Sequence, residues 1–272
     1  MNKDVIAKLP NEARQIINSD AKIINRLGSN ALANYLLVNK GVYATDEDVP
    51  VNPATGERMK AANNKNNGYV YMQAGDPIWV DVNGDYIIDD KDKVVVGNSQ
   101  PRLTGGFNAN LRYKSFSINT NFSFTIKRDI INKALADRFA AYGNPLSKDL
   151  NGSGAITPIE AFDFWKEDHI YAKYPNPFDY IRGGTADHQV NFFRPDQTLF
   201  MEDGSFLKIN GVSISYVLPK KVLDFLRVER VQLNASVNNI YTFSKYSGVN
   251  PENVNSLGYD VSGGYPNSRN YT

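Results

Sequence analysis

The sequence predicts an all-β chain with short loop helices, and three features carry that prediction. Two 11-residue segments, Leu103 to Tyr113 and Phe116 to Ile126, alternate apolar and polar residues without a break. Only Lys114 and Ser115 stand between them, so they form a hairpin. No run reaches the 18 or more apolar residues of a membrane helix. At 272 residues, 42% hydrophobic and 12% aromatic, the chain has ample material for a core, yet its mean hydropathy is −0.43. Low hydropathy excludes a helical membrane protein but not a membrane barrel, in which only alternate strand residues need be apolar.

In chain order, residues 11–27 place Ile16, Ile17, Ile23, Ile24 and Leu27 at mixed spacing, consistent with a helix or an irregular approach to a strand. Ala33 to Tyr43 reads as a strand. Residues 44–75 are rich in Asn, Pro, Gly and charge and read as a long exposed loop. A short strand, Ile78 to Val82, enters an acidic loop that Val94 to Val96 leaves.

That loop, DVNGDYIIDDKD, spaces oxygen donors as a 12-residue Ca²⁺ loop does: Asp81, Asn83, Asp85, the Ile87 carbonyl, Asp89 and Asp92 fall on positions 1, 3, 5, 7, 9 and 12. Position 6 is normally Gly because the chain turns sharply there, and here it is Tyr86. The competing reading is a solvated turn, in which Asp and Asn cap and bend the chain.

The hairpin after it is the strongest signal. Leu103, Gly105, Phe107, Ala109, Leu111 and Tyr113 share one face with Phe116, Ile118, Thr120, Phe122, Phe124 and Ile126; Asn, Ser, Thr and Arg112 fill the other. Strands of this length suit a tilted bilayer crossing, and period alone does not separate that from a long hairpin in a soluble sandwich. Residues 127–203 form a 77-residue connection. Ile131, Leu135 and Phe139 predict a helix ending near Gly143, and Thr157-Pro158-Ile159-Glu160 a capped helix running toward Trp165. Arg194 to Gln197 reads as a turn. Ser205 to Leu218 is a strand whose apolar phase switches at Asn210-Gly211, which predicts a β-bulge. Pro219 to Arg227 is a helical connection, residues 230–243 a further strand, and Ser244 to Tyr271 loop. Short connections on one side against a 77-residue one on the other match barrels with short periplasmic turns and long extracellular loops.

Several function classes fall away. A net charge of +1 with interspersed signs offers no basic footprint for nucleic acid. Zero Cys removes disulfides and thiol chemistry. The N-terminal MNKDVIAKLPNEAR has no apolar h-region of a signal peptide. His169 and His188 have no catalytic spacing around them, and Gly105-Gly106 and Gly183-Gly184 no phosphate-loop context. Asp163, Glu167 and Asp168 beside Trp165 suggest a glycosidase pair less readily than a solvated face. No enzyme is expected.

Taken together, GDPIWVDVNGDYIIDDKD (75–92), VGNSQPRLTGGFNANLRYKSFSI (96–118), EDGSFLKINGVSISYVLPKKVL (202–223), VNNIYTFSKYSGVNPE (237–252) and YPNSRNYT (265–272) resemble the C-terminal part of SusC/RagA-type TonB-dependent outer-membrane transporters of Bacteroidetes. The resemblance implies that residues 1–272 are a single partial domain of a plugged barrel of about 22 strands, with 44–75 and 127–203 as extracellular loops. It implies an integral outer-membrane location, TonB-dependent uptake of oligosaccharide or peptide, a SusD-like surface lipoprotein as partner, and contact with outer-membrane lipid but not nucleic acid. It also implies a fragment, since plug, TonB box and most of the barrel are missing and the family continues into a final strand. Four long strands with open edges cannot close in a bilayer, so the isolated chain is not expected to work as a transporter. The alternative is a secreted or soluble calcium-stabilised β-rich binding module, with the Phe107/Phe122 face turned inward.

Overall fold

A computed structural model describes residues 4–10, 15–17, 23–31, 33–63, 68–142, 159–179, 190–255, 257–260 and 268–272. The chain forms two compact units, one from residues 5–97 and 131–201, the other from 1–4, 98–130 and 202–272.

In the first unit, β1 (Gln15–Ile17), β2 (Ile23–Arg26) and β3 (Ala33–Leu36) pair antiparallel, and β9 (Val94–Val95) adds to β3. Within 11–27, residues 15–17 and 23–26 are therefore strands, not helix. Paired β-branched Ile16-Ile17 and Ile23-Ile24 favour extended backbone over the mixed spacing. The strand expected over 33–43 is two strands with different partners. After β3 the chain bends: the Leu37 amide donates to the Asp196 carbonyl at 3.0 Å. Then β4 (Asn39–Val42) pairs with β7 (Pro77–Trp79).

Residues 44–63 and 68–75 are not an irregular exposed loop throughout. β5 (Lys60–Asn63) and β6 (Gly68–Tyr71) form a hairpin, and β8 (Ile87–Ile88) joins β5 in parallel. Val49, Met59, Ala61 and Met72 are buried with Trp79, Ile88 and Phe192. Four-residue strands are too short for alternation to stand out among Asn and Gly, so composition misleads here.

Helix α1 (Lys133–Tyr142) starts two residues after Ile131, because Asn132 caps it: the Asn132 Oδ1 accepts from the Leu135 amide at 3.0 Å. Its Phe139 is fully buried at the centre of an aromatic cluster, with Phe162, Phe164, Tyr174, Phe193 and Phe200 centroids 4.8–6.0 Å away. Thr157 and Pro158 of the expected capping box lie outside the described residues, and Ile159–Ala161 form a 3-10 turn.

The second unit is one antiparallel sheet. β10 (Leu103–Tyr113) and β11 (Phe116–Ile126) match the predicted hairpin residue for residue. Lys114 takes the positive φ of 51° that a two-residue turn needs. The strands β12 (Asp129–Ile131) and β13 (Met201–Asp203) lie where the sequence passes between units. β14 (Phe206–Val217), β15 (Gln232–Ser244) and the short β16 (Asn270–Tyr271) complete the order β10-β11-β14-β15-β16. The predicted bulge is present: Asn121 pairs with Gly211 and Phe122 with Ile209, which leaves Asn210 as the extra residue of β14. A second irregularity faces it in β15, where Asn239 has a φ of 56°. Helix α2 (Lys220–Leu226) connects β14 to β15.

Candidate functional site: a two-faced sheet and an acidic loop

The register of the sheet sorts its side chains completely. Pairings Tyr113↔Phe116↔Tyr216↔Leu233, Leu111↔Ile118↔Ile214↔Ala235, Phe107↔Phe122↔Ile209↔Tyr241 and Phe124↔Leu207↔Phe243 put one continuous apolar face on β10, β11, β14 and β15. The paired bulges keep that face in phase, since Leu207 and Ile209 before them align with Val212, Ile214 and Tyr216 after them. Aromatic rings stack across strands on this face, Phe107 on Phe122 at 4.5 Å and Phe116 on Tyr216 at 4.4 Å.

The other face carries Asn108↔Asn121, Asn110↔Asn119↔Ser213↔Ser236 and Ser117↔Ser215↔Asn234. Its short polar groups bond across strands: the Ser215 hydroxyl donates to Asn234 Oδ1 at 2.8 Å and the Ser123 hydroxyl to Asn210 Oδ1 at 3.2 Å. Neither face of β10 is covered, since all eleven of its residues are exposed, and Leu111 is 66% exposed. At about 3.3 Å rise per residue, 11 residues span about 36 Å. Tilted about 45°, that covers about 25 Å, the height of the apolar band of a membrane barrel.

Sequence reasoning missed the segment after β15 that packs back on the start of β14. Lys208 is buried and ion-pairs with Glu252, the Arg128 guanidinium reaches the Pro251 carbonyl at 3.4 Å, and the Ser247 amide and hydroxyl donate to the Glu202 carboxylate, each at 2.7 Å. The buried Tyr246 hydroxyl donates to Asp260. Burial and that carboxylate push the phenol well above its ordinary value. Only the Gly/Asn-rich composition of 244–271 marked it, and composition reads it as plain loop.

The acidic loop adopts the turn its sequence made costly. Tyr86 sits at φ 62°, in the left-handed region. Asp81 makes that turn by accepting from the Gly84 amide at 2.7 Å and the Tyr86 amide at 2.8 Å. Asn83 Oδ1 accepts from the Asp85 amide and Asp85 Oδ1 from the Ile87 amide, both at 2.9 Å. Asp89 caps a 3-10 turn, and buried Asp92 accepts from the Val82 and Asp89 amides at 2.9 and 2.8 Å. Burial pushes the Asp92 carboxyl above its ordinary value, against those bonds. The six candidate donors thus lie on one loop knit together by backbone N–H groups. Among the described residues, no group of three or more His, Cys, Asp or Glu side chains converges where it could hold a metal ion.

Behind this loop lies a polar hub that the sequence showed only as a turn. Asp196 takes a bidentate pair from Arg194, both contacts at 2.7 Å, and a contact from the buried Lys93 ammonium at 2.7 Å. Burial alone would raise the Asp196 carboxyl; the two cations overcome it and hold it well below the usual carboxylate range. Gln197, fully buried, accepts from the Trp79 indole at 2.8 Å and donates to the Phe192 carbonyl at 2.8 Å. The glycosidase-like group does not assemble: Asp163 bonds His169 at 2.7 Å, and Trp165 is spent on packing, its indole donating to the Ala44 carbonyl at 3.2 Å. His188 lies outside the described residues.

No family model matches the chain. It is 26% identical over 209 residues to TonB-dependent receptor P3 of Formosa agariphila, covering 73% of this chain and 18% of that protein. TonB-dependent receptor P39 of the same organism is 27% identical over 198 residues, covering 72% and 17%. The solved RagAB peptide transporter matches with a TM-score of 0.66 at 19% identity, covering 98% of this chain and 25% of that one. The RagAB peptide importer in its open-open state gives 0.60 at 19%, covering 98% and 24%. The chain therefore spans less than a fifth of the length of these curated relatives. These relatives are receptors by name, and the matching structures are transporters. The likeness extends over nearly three quarters of the chain in sequence and nearly all of it in fold, so the chain is similar to one part of the TonB-dependent receptors and shares its fold with one part of the RagAB transporter.

Proposed function

We propose that this chain is the C-terminal segment of a TonB-dependent nutrient importer that takes up oligosaccharide or peptide together with a SusD-like surface lipoprotein. The observation that carries the reading is the two-faced sheet: four long strands with a Leu/Phe/Tyr face suited to lipid and an Asn/Ser/Thr face suited to a hydrated lumen, both bare along β10. A soluble calcium-stabilised module would have to cover the Phe107/Phe122 face with protein, and every residue of β10 is bare. Strands outside this chain close the barrel, because open edges are not tolerated in hydrocarbon. Residues 44–75 and 127–203 then form the extracellular side, and TonB engages the plug-bearing part of the parent.

The test is uptake by the intact parent in cells, with labelled oligosaccharide and labelled peptide as separate arms, with and without TonB. TonB-dependent uptake in one arm, and co-purification of a surface lipoprotein, support the reading. Uptake unchanged by deleting the parent gene rejects it.

Ca²⁺ as a structural clamp on Asp81, Asn83, Asp85, the Ile87 carbonyl, Asp89 and Asp92 belongs to the same proposal. Its support is the left-handed turn at Tyr86, the bend that position 6 of such a loop requires. Carboxylate oxygens that accept one N–H also keep a further lone pair for a cation. Calorimetry on the intact protein should give binding tighter than millimolar, and no heat at millimolar Ca²⁺ removes the clamp.

A further inference from the structure

Helix α2 carries an apolar stripe that nothing in its own unit covers. Val222, Phe225 and Leu226 stand at i, i+3 and i+4, on one helical face, and all three are exposed. Phe225, at 84%, is the most exposed large apolar side chain among the described residues. The same connection is rich in basic groups: between Pro219 and Val231 the sequence holds Lys220, Lys221, Arg227 and Arg230 against Asp224 and Glu229.

The connection is held firmly in place. The Leu218 amide donates to the Val231 carbonyl at 3.0 Å, closing the strand ends. Arg227 ends the helix in left-handed geometry, φ 53°, with its amide on the Asp224 and Leu223 carbonyls. The stripe is therefore presented by a rigid turn.

Its position selects the occupant. The strands that α2 joins end in Tyr216 and Leu233, which align with Phe116 and Tyr113 across the sheet, so the apolar face finishes in an aromatic row at this rim. Beyond that row come cations, with Lys114 Nζ lying 5.3 Å over the Tyr113 ring. Apolar band, aromatic row, then Lys and Arg is the order of groups met on leaving hydrocarbon for a headgroup layer.

We propose that α2 is an interfacial anchor: Val222, Phe225 and Leu226 insert at the headgroup boundary, while Lys220, Lys221, Arg227 and Arg230 bind the phosphodiesters of anionic phospholipid. The proposal rests on the barrel reading, and its test separates the two. The intact parent, as Phe225→Trp or as Leu111→Trp, is reconstituted in phosphatidylcholine vesicles with or without phosphatidylglycerol. The vesicles carry bromines either near the headgroup or deep in the acyl chains.

Leu111→Trp reports the barrel face and should be quenched by lipid bromines whatever the headgroup. Phe225→Trp should be quenched by the shallow bromines severalfold more than by the deep ones, and more strongly with phosphatidylglycerol. The additional Lys220→Gln and Lys221→Gln changes should remove that headgroup dependence. If Leu111→Trp is quenched and Phe225→Trp stays open to aqueous iodide, the anchor is wrong and the barrel stands. Phe225→Trp shielded from both iodide and lipid means a protein covers the stripe, which also overturns the anchor. If neither Trp meets lipid, the barrel reading itself fails.

Discussion

The two units use the same apolar residue types in opposite ways. In the unit built from residues 5–97 and 131–201, Trp79, Phe139, Phe164, Phe192 and Phe200 are inaccessible, and even the polar Asp196 and Gln197 are fully partnered inside. In the sheet, Phe107, Leu111, Phe116, Leu233 and Phe243 stand bare on a flat face. The first unit makes its apolar environment from its own chain. The second leaves its apolar face uncovered by its own residues. On the proposed barrel reading, the difference makes exposure of large apolar groups in the sheet a specification of solvent and not a defect of packing.

That contrast can be broken most forcefully at the polar hub. In the intact parent, Lys93→Met leaves Asp196 with one cation fewer in a buried site and should destabilise its unit by about 3–5 kcal/mol, read by urea unfolding. Because the folded Asp196 carboxyl lies below its unfolded value of about 3.9, its stabilisation is complete above that pH and lost as pH falls below it. Lys93→Met should therefore flatten the acid side of the stability profile, and an unchanged slope would remove Asp196 as its source.

Truncating one aromatic in each unit sharpens the comparison. Phe139→Ala empties a site ringed by five aromatic side chains and should cost about 3–5 kcal/mol, because the cavity has no fluid to fill it. Phe107→Ala should cost only the transfer of the ring, about 1.5–3 kcal/mol, since acyl chains close over the gap. Equal costs would mean that the sheet face packs on protein.

Charge reads the two faces of one strand. Leu111→Arg should cost about 2–4 kcal/mol near the membrane midplane, and Asn110→Arg, its neighbour on the polar face, little. Equal tolerance would invert or abolish the orientation.

The smallest effect expected is at glycines. Gly75 has a φ of 84°, and a Cβ there would meet the Trp165 ring at 2.8 Å and Asn176 Cβ at 3.1 Å. Gly75→Ala should cost about 1–3 kcal/mol in thermal unfolding. On the sheet, the atoms nearest a Cβ at Gly105 belong to the Phe124 ring, also at 2.8 Å, and that ring can swing away from the sheet. Gly105→Ala should stay within about 0.5 kcal/mol.

The sequence by itself determined the long hairpin, its faces and its turn, the bulge at Asn210, the helical link at 220–226 and the helix through Phe139. Each is local: period 2 over 11 residues, a phase switch, or an i, i+4 recurrence needs no distant partner to be legible. The acidic loop was legible as a chain of oxygen donors, and its turn at Tyr86 was flagged by the residue that makes it costly. Tertiary structure decided the rest. Strands of four residues or fewer, such as Lys60–Asn63 and Ile87–Ile88, carry too little pattern to declare themselves and exist because neighbours far away in sequence complete their hydrogen bonds. The hub of Lys93, Arg194, Asp196 and Gln197 joins residues about a hundred positions apart, and a buried charge is stable only once its partners arrive. Whether an alternating face meets protein or lipid is likewise no property of the alternation; it depends on what the rest of the fold leaves uncovered.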